Sequence, residues 1–207
     1  MPRVQVACSG YWMFYIIGVN HRFQSLKAGE TPTPEHLFYQ NTLSDVIVTR
    51  NPTLVAEEES RETLRGRTSI AEGLANKLQV EHVLCDPNKT QRQSIGYRCL
   101  VDLQTKIYQE NQDISDHDCE VRATAIETAR EFGKREDYWL KSIEGRNLSK
   151  VIFVCGAAHI DGLRKRLSER GVQSEVIVRA IGITREQQEL IAEAELLLKE
   201  DPNIDVA

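Results

Sequence analysis

Five short apolar runs, each closed by glycine or a charged residue and separated by helical stretches, confine this chain to a small set of folds. Met13-Phe14-Tyr15-Ile16-Ile17 and Val151-Ile152-Phe153-Val154-Cys155 are continuously apolar and end at glycine, the pattern of strands buried on both faces. Thr53-Leu54-Val55-Ala56, Glu81-His82-Val83-Leu84-Cys85 and Glu175 to Val178 read as three more. A helix from about Glu35 to Val48 follows the first strand, with Thr33 as its cap, Pro34 opening it and Asn51-Pro52 stopping it. Further helices are expected at about Ser69 to Leu78, Cys119 to Phe132, Arg135 to Ile143 and Leu163 to Arg170, with a last one capped by Thr184 and reaching about Lys199. Strands alternating with helices predict an α/β fold, a mainly parallel central sheet of about five or more strands flanked by helices. Ligands in such sheets bind at the C-terminal edge of the strands.

At 207 residues the chain is read as one α/β domain spanning 1–207, with an ill-defined insertion at about 89–118. Within that stretch, Ile95 to Val101 opens either a short strand or a helix. A net charge of −5 argues against a nucleic-acid backbone as the principal partner, because phosphate neutralisation needs a basic face, and leaves room for a local basic patch. The five cysteines are scattered without a Cys-x-x-Cys pair, as in proteins of reducing compartments. No apolar run approaches the roughly 18 to 20 residues that span a bilayer, and the stretch before Cys8 is too short for a lipoprotein signal, so a cytoplasmic location without membrane partners is expected. An exposed sheet edge on a chain of this size also suits a homodimer.

The chemistry gathers at the strand ends. Gly18-Val19-Asn20-His21 and Gly156-Ala157-Ala158-His159 each place a histidine just past a buried strand, and glycine there permits positive φ or close approach of the backbone. Parallel strands bring His21, Glu57 or Glu58, Asp86 and His159 to one edge. Imidazoles with a carboxylate serve two chemistries: they hold a divalent ion that acidifies a bound water, or they act on water directly as base and acid. Strand alternation puts Glu57 and Glu59 on the face opposite Glu58. Arg135 and Asp137 either enter this site or cap and pair at a helix N-terminus. Asp116-His117-Asp118-Cys119 offers metal-ligand types in a row, and reads better as an acidic cap to the next helix. His36 and His82 read as structural or exposed, Cys155 as core, and Tyr138 and Trp139 as either core or cleft lining.

The order strand-Gly-x-x-His, strand-Glu, the helix start Arg135-Glu136-Asp137-Tyr138-Trp139-Leu140, then strand-Gly-x-x-His with Ile160-Asp161-Gly162-Leu163 resembles the TraB/GumN family. That family belongs to a broader group with Tiki-type metalloproteases, erythromycin esterases and haem-binding ChaN-like proteins. The matched landmarks run from Met13 to Leu163, although Val19 and Asn20 depart from the common Gly-Thr-x-His form and three glutamates stand where one is expected. The resemblance implies a hydrolase of peptide or ester bonds, acting on a small-molecule or peptide substrate. It implies His21, Glu58, Arg135 and His159 as catalytic residues, with Arg135 binding a substrate carboxylate or phosphate or stabilising an oxyanion. It also implies His21, Glu57, Glu58 and His159, with Asp86 as an additional candidate, as ligands of a divalent ion such as Mn, Co or Zn. The alternative is a non-catalytic binder of haem or of an anionic small molecule at the same histidines. A nucleotide-binding module is disfavoured because neither Gly-x-Gly-x-x-Gly nor a phosphate-binding Gly-x4-Gly-Lys loop occurs.

Overall fold

The computed structural model describes residues 12–204; Cys8 and the N-terminal segment considered above lie outside the described residues. In chain order the elements are β1 (Met13–Val19), β2 (Ser25–Leu26), α1 (Pro34–Arg50), β3 (Leu54–Glu57), α2 (Arg61–Leu64), β4 (Thr68–Ser69), α3 (Ile70–Lys77) and β5 (Glu81–Leu84). They continue with α4 (Lys89–Ser94), α5 (Leu100–Glu110), α6 (Asp116–Ile126), a π-helical turn (Glu127–Glu131), α7 (Phe132–Ser142), β6 (Lys150–Cys155), α8 (Ile160–Glu169), β7 (Gln173–Ile181) and α9 (Arg185–Glu200).

The main sheet is five-stranded and parallel throughout, in the order β5-β3-β6-β1-β7, as the alternation predicts. The chain passes from β1 to β3 leaving one slot between them, and β6 returns later to fill it. That late insertion makes β1, β6 and β3 neighbours, so the two Gly-x-x-His segments and the glutamate run emerge side by side. Registers align the exits, with Gly18 beside Cys155 and Glu57 beside Val154.

Strand alternation divides the core. Tyr15, Ile17 and Val19 of β1 pack with Tyr39, Leu43 and Ile47 of α1 and Ala71 and Leu74 of α3 on one face. Phe14 and Ile16 pack on the other with Trp139 and Leu140 of α7 and Ile160, Leu163 and Leu167 of α8. Both faces of the strand are therefore dry, which is why its sequence is continuously apolar. Thr33 caps α1 as expected, and His36 returns the bond through Nδ1 to the Thr33 amide at 3.2 Å, so this histidine is a buried cap.

Three differences from the sequence expectations have physical causes. The stretch 89–118 is helical, and no strand forms over 95–101. Leu103 and Ile107 of α5 stand four apart and bury against Cys119, Ala123 and Ile126 of α6. The π turn joins α6 to α7 without a break at Gly133, where a Cβ would stand 2.1 Å from the Arg166 guanidinium. Glycine there admits a close contact, and Arg135 consequently lies inside a helix, not at its start. Third, neither motif glycine has positive φ. Gly18 is needed for close approach, since a Cβ would lie 2.0 Å from the backbone carbonyl oxygen of Arg179 on β7. A backbone atom in a paired strand cannot yield cheaply, so Gly18→Ala is expected to cost about 3 kcal/mol in urea denaturation, at the upper end of overpacking effects.

Candidate active site

His21 opens a single turn of 3-10 helix directly after β1. Asn20 caps it, accepting from the Arg22 amide at 3.2 Å and donating to the Gly182 carbonyl at 3.2 Å. The departure from threonine at the first motif thus supplies a cap. His159 closes a similar turn after β6 and leads into α8.

Glu58 stands at the centre. Its amide donates to the Val154 carbonyl at 2.8 Å, and its Oε2 accepts from the Gly156 amide at 2.6 Å. Its Oε1 lies 2.7 Å from Arg135 Nη2, 3.4 Å from His159 Nε2 and 3.5 Å from His21 Nε2. The two imidazole nitrogens are therefore within about 7 Å of each other, each being that close to one shared oxygen. Burial alone would raise the Glu58 carboxyl; the neighbouring His159, His21 and Arg135 and the Gly156 amide overcome it and hold the group at about 2. A fully buried, ionised carboxylate thus sits beneath an imidazole that is 50% exposed.

Gly156 explains why the second motif needs glycine. A Cβ there would lie 2.9 Å from His21 Nε2 and 3.4 Å from Glu58 Oε2. The nearest obstacle is the end of a half-exposed ring, so Gly156→Ala is expected to change the melting temperature by less than about 3 °C while displacing His21, visible as a shifted His21 imidazole resonance.

Arg135 and Asp86 form the clamp behind Glu58. Asp86 Oδ1 accepts from Arg135 Nη2 at 2.7 Å, Arg135 Nε at 3.1 Å and Trp139 Nε1 at 3.0 Å, and its Oδ2 accepts from Arg92 at 2.6 Å. Both oxygens of Asp86, expected as an additional metal-ligand candidate, are thus engaged by cationic or indole donors. Arg135, expected to bind substrate, lines the cavity but is largely buried, with its Nη2 shared between Glu58 and Asp86. Trp139 is core with a polar task, its ring packed against Phe153 and its indole N–H on Asp86.

His159 is enclosed. Phe132 lies 3.8 Å from its ring, centroid to centroid, and Trp139 meets it edge-on at 4.8 Å. Its Nδ1 is 3.1 Å from Glu136 Oε1, and its Nε2 is 3.5 Å from Arg135 Nη1. A carboxylate can only accept, so the Glu136 contact calls for a proton on Nδ1. Glu136 is in turn held by Arg166 Nε at 2.9 Å, and Gly162 leaves room for it. Glu136 was missed by the sequence reading. The signal was present, because Phe132, Arg135, Glu136 and Trp139 fall at i, i+3, i+4 and i+7 of one helix face.

β3 ends at Glu57, so strict alternation stops there. Glu57 faces α1 and α3, its Oε2 accepting from Ser69 Oγ at 2.5 Å and lying 3.2 Å from His82 Nε2. The structure thus removes Glu57 from the set of site ligands and gives His82 a structural partner. Glu58 and Glu59, expected on opposite faces, line one cavity because the chain turns between them, the Glu59 amide donating to the Glu57 carbonyl at 2.8 Å. This cavity, about 420 Å³, is walled by His21, Arg22, Ser25, Glu58, Glu59, Thr63, Arg67, Asp86, Arg92 and Arg135.

Glu59 accepts from Thr63 Oγ1 at 2.5 Å. Burial raises its carboxyl, Thr63 opposes this, and the charges of Glu57, Glu58 and Asp86 add to it, leaving the group at about 7. Its folded value lies above the unfolded value of 4.5, so between roughly pH 4.5 and 7 the folded chain keeps a proton that the unfolded chain has lost. Stability must fall as pH rises through that window, by about 3 kcal/mol for this group. The Glu59→Gln variant is expected to gain several degrees in melting temperature over the native chain at pH 8, and little at pH 5.

The donors were tested against the groups the sequence suggested. Two imidazole nitrogens and a carboxylate oxygen are suitable metal ligands by type, but the Arg135 guanidinium touches Glu58 and His159 where an ion would sit. Among the described residues no three His, Cys, Asp or Glu side chains are grouped to hold an ion. A divalent ion does not fit this arrangement unless Arg135 withdraws. No aliphatic residue, Phe, Tyr or Trp lines this cavity to pack against a haem macrocycle. Asp116 to Cys119 form the first turn of α6, capped by Ser115, and His117 pairs with Glu193 at 2.6 Å, away from the site. Cys155 is buried core, and no helix among the described residues is long and apolar enough to cross a membrane. No family model, curated protein or solved structure compared with the chain matches it.

Proposed function

We propose that the chain hydrolyses peptide or ester bonds, with His21 as the base that draws a proton from water. The observation that carries this reading is the half-exposed His21 ring set 3.5 Å from the buried, ionised Glu58 at the wall of a polar cavity. Glu58 favours the Nε2–H tautomer of His21 and stabilises the imidazolium that forms, which leaves Nδ1 to accept the proton. The hydroxide so generated adds to the carbonyl carbon, and Glu59, still carrying a proton near neutrality, gives it to the departing amine or alcohol. Arg135, Asp86 and His159 hold Glu58 in place from behind. The order of landmarks shared with TraB/GumN-like proteins supports the same reaction class.

The test is turnover of a panel of fluorogenic peptide and ester substrates by the native chain and by His21→Ala. Activity is expected to survive dialysis against EDTA. Loss of turnover on chelation, restored by Mn, Co or Zn, would instead support an ion at Glu58 with Arg135 displaced.

A further inference from the structure

The cavity that His21 lines also holds two arginines that the hydrolytic step does not use, Arg22 and Arg67. Of the cavity carboxylates, Glu58 and Asp86 are already matched by Arg135 and Arg92. Arg67 is held rigidly, its Nε donating to Ser25 Oγ at 2.9 Å and its Nη2 to the Ser25 carbonyl at 2.7 Å, with Glu30 at 3.6 Å from Nη2. None of its bonds uses Nη1, which leaves that nitrogen of a prepositioned fork for a ligand. Arg22 is exposed beside His21, stacked 4.7 Å over Phe23, with no carboxylate in ion-pair distance among the described residues. Burial raises the Glu59 carboxyl to about 7, so near neutrality it cancels only part of this charge. Arg22 and Arg67 thus bring positive charge to this cavity in a chain whose net charge is −5.

We infer that the substrate carries an oxyanion, a carboxylate or a phosphate, seated between Arg22 and Arg67 beside the bond that His21 attacks. The inference rests on the hydrolase reading for the position of that bond, and on the arginines alone for the anion. Space for the remainder of the substrate lies next door. A second cavity of about 330 Å³ shares Thr63 and Arg92 with the first and adds Tyr97, whose ring lies under Arg135 and Arg92. Neutral substrates would leave the Arg22 and Arg67 donors unmatched and should be turned over poorly.

Isothermal titration of the full chain with inorganic phosphate and with succinate tests the anion and distinguishes its two forms. At least one is expected to bind, with affinity falling about tenfold in Arg67→Met and in Arg22→Met. Arg22 is exposed, so its variant keeps the test valid if Arg67→Met fails to fold. No binding of either anion to the native chain, or equal binding by all variants, overturns the inference. The His21→Ala variant separates it from the hydrolase reading: the anion should bind within about threefold of native affinity while turnover is lost. Arginine-dependent binding without hydrolysis of any substrate would sustain the anion site and reject the hydrolase.

Discussion

Arg135→Leu is expected to lower the melting temperature by about 10 °C or more. The guanidinium touches Glu58 Oε1 and Asp86 Oδ1, each at 2.7 Å, and both carboxylates are almost wholly shielded from water. Removing it takes the closest cation from Glu58 and leaves Asp86 with Arg92 alone, in a region of low polarisability. Breaking a buried ion pair from one side costs roughly 3–5 kcal/mol, and a chain of this size loses about 2–4 °C per kcal/mol. Circular dichroism melting at pH 7 measures the loss. Much of it should return in the triple variant with Glu58→Gln and Asp86→Asn, because neutral amides no longer need the cation. A destabilisation that the amides do not relieve would show that Arg135 contributes packing and not charge balance.

His21→Ala has the opposite profile. The ring is half exposed and stacks on no core residue, so its removal should leave the melting temperature within about 2 °C of the native value. Turnover should fall by about 10² to 10⁴, the usual contribution of a positioned general base. His159→Ala differs again, since that ring is packed between Phe132 and Trp139 and bonded to Glu136. Its loss opens a cavity and frees a buried carboxylate, so stability and activity should fall together. The two motif histidines look equivalent in sequence and are predicted to separate cleanly in these paired measurements.

That separation marks where the sequence stops being informative. The central strands were legible because both sheet faces are dry there, so β1 and β6 beyond Lys150 are almost continuously apolar and no period has to be inferred. The meeting of His21, Glu58 and His159 followed from parallel strands ending together, although the slot that β6 fills between β1 and β3 is a property of topology alone. Residue-level geometry was legible only where local rules applied. Alternation correctly opposed Glu57 to Glu58, then failed at Glu59 because the strand had ended. Glu136 could have been read from the face it shares with Arg135, whereas Arg67 could not: its place beside His21 depends on β4 pairing with β2, a two-residue ladder with no periodic signal. The helical break expected at Gly133 was misplaced because that glycine answers to Arg166, distant in sequence.

The central claim is that His21 and Glu58 act as one unit, and a double-mutant cycle on kcat/KM tests it most directly. Glu58→Gln keeps the shape and removes the charge, while His21→Ala removes the base. Groups that serve a single step are strongly non-additive, so the double variant is predicted to be no slower than the worse of the two singles. Losses that instead multiply, the double variant falling by the product of the single effects, would contradict the pairing of the exposed imidazole with the buried carboxylate.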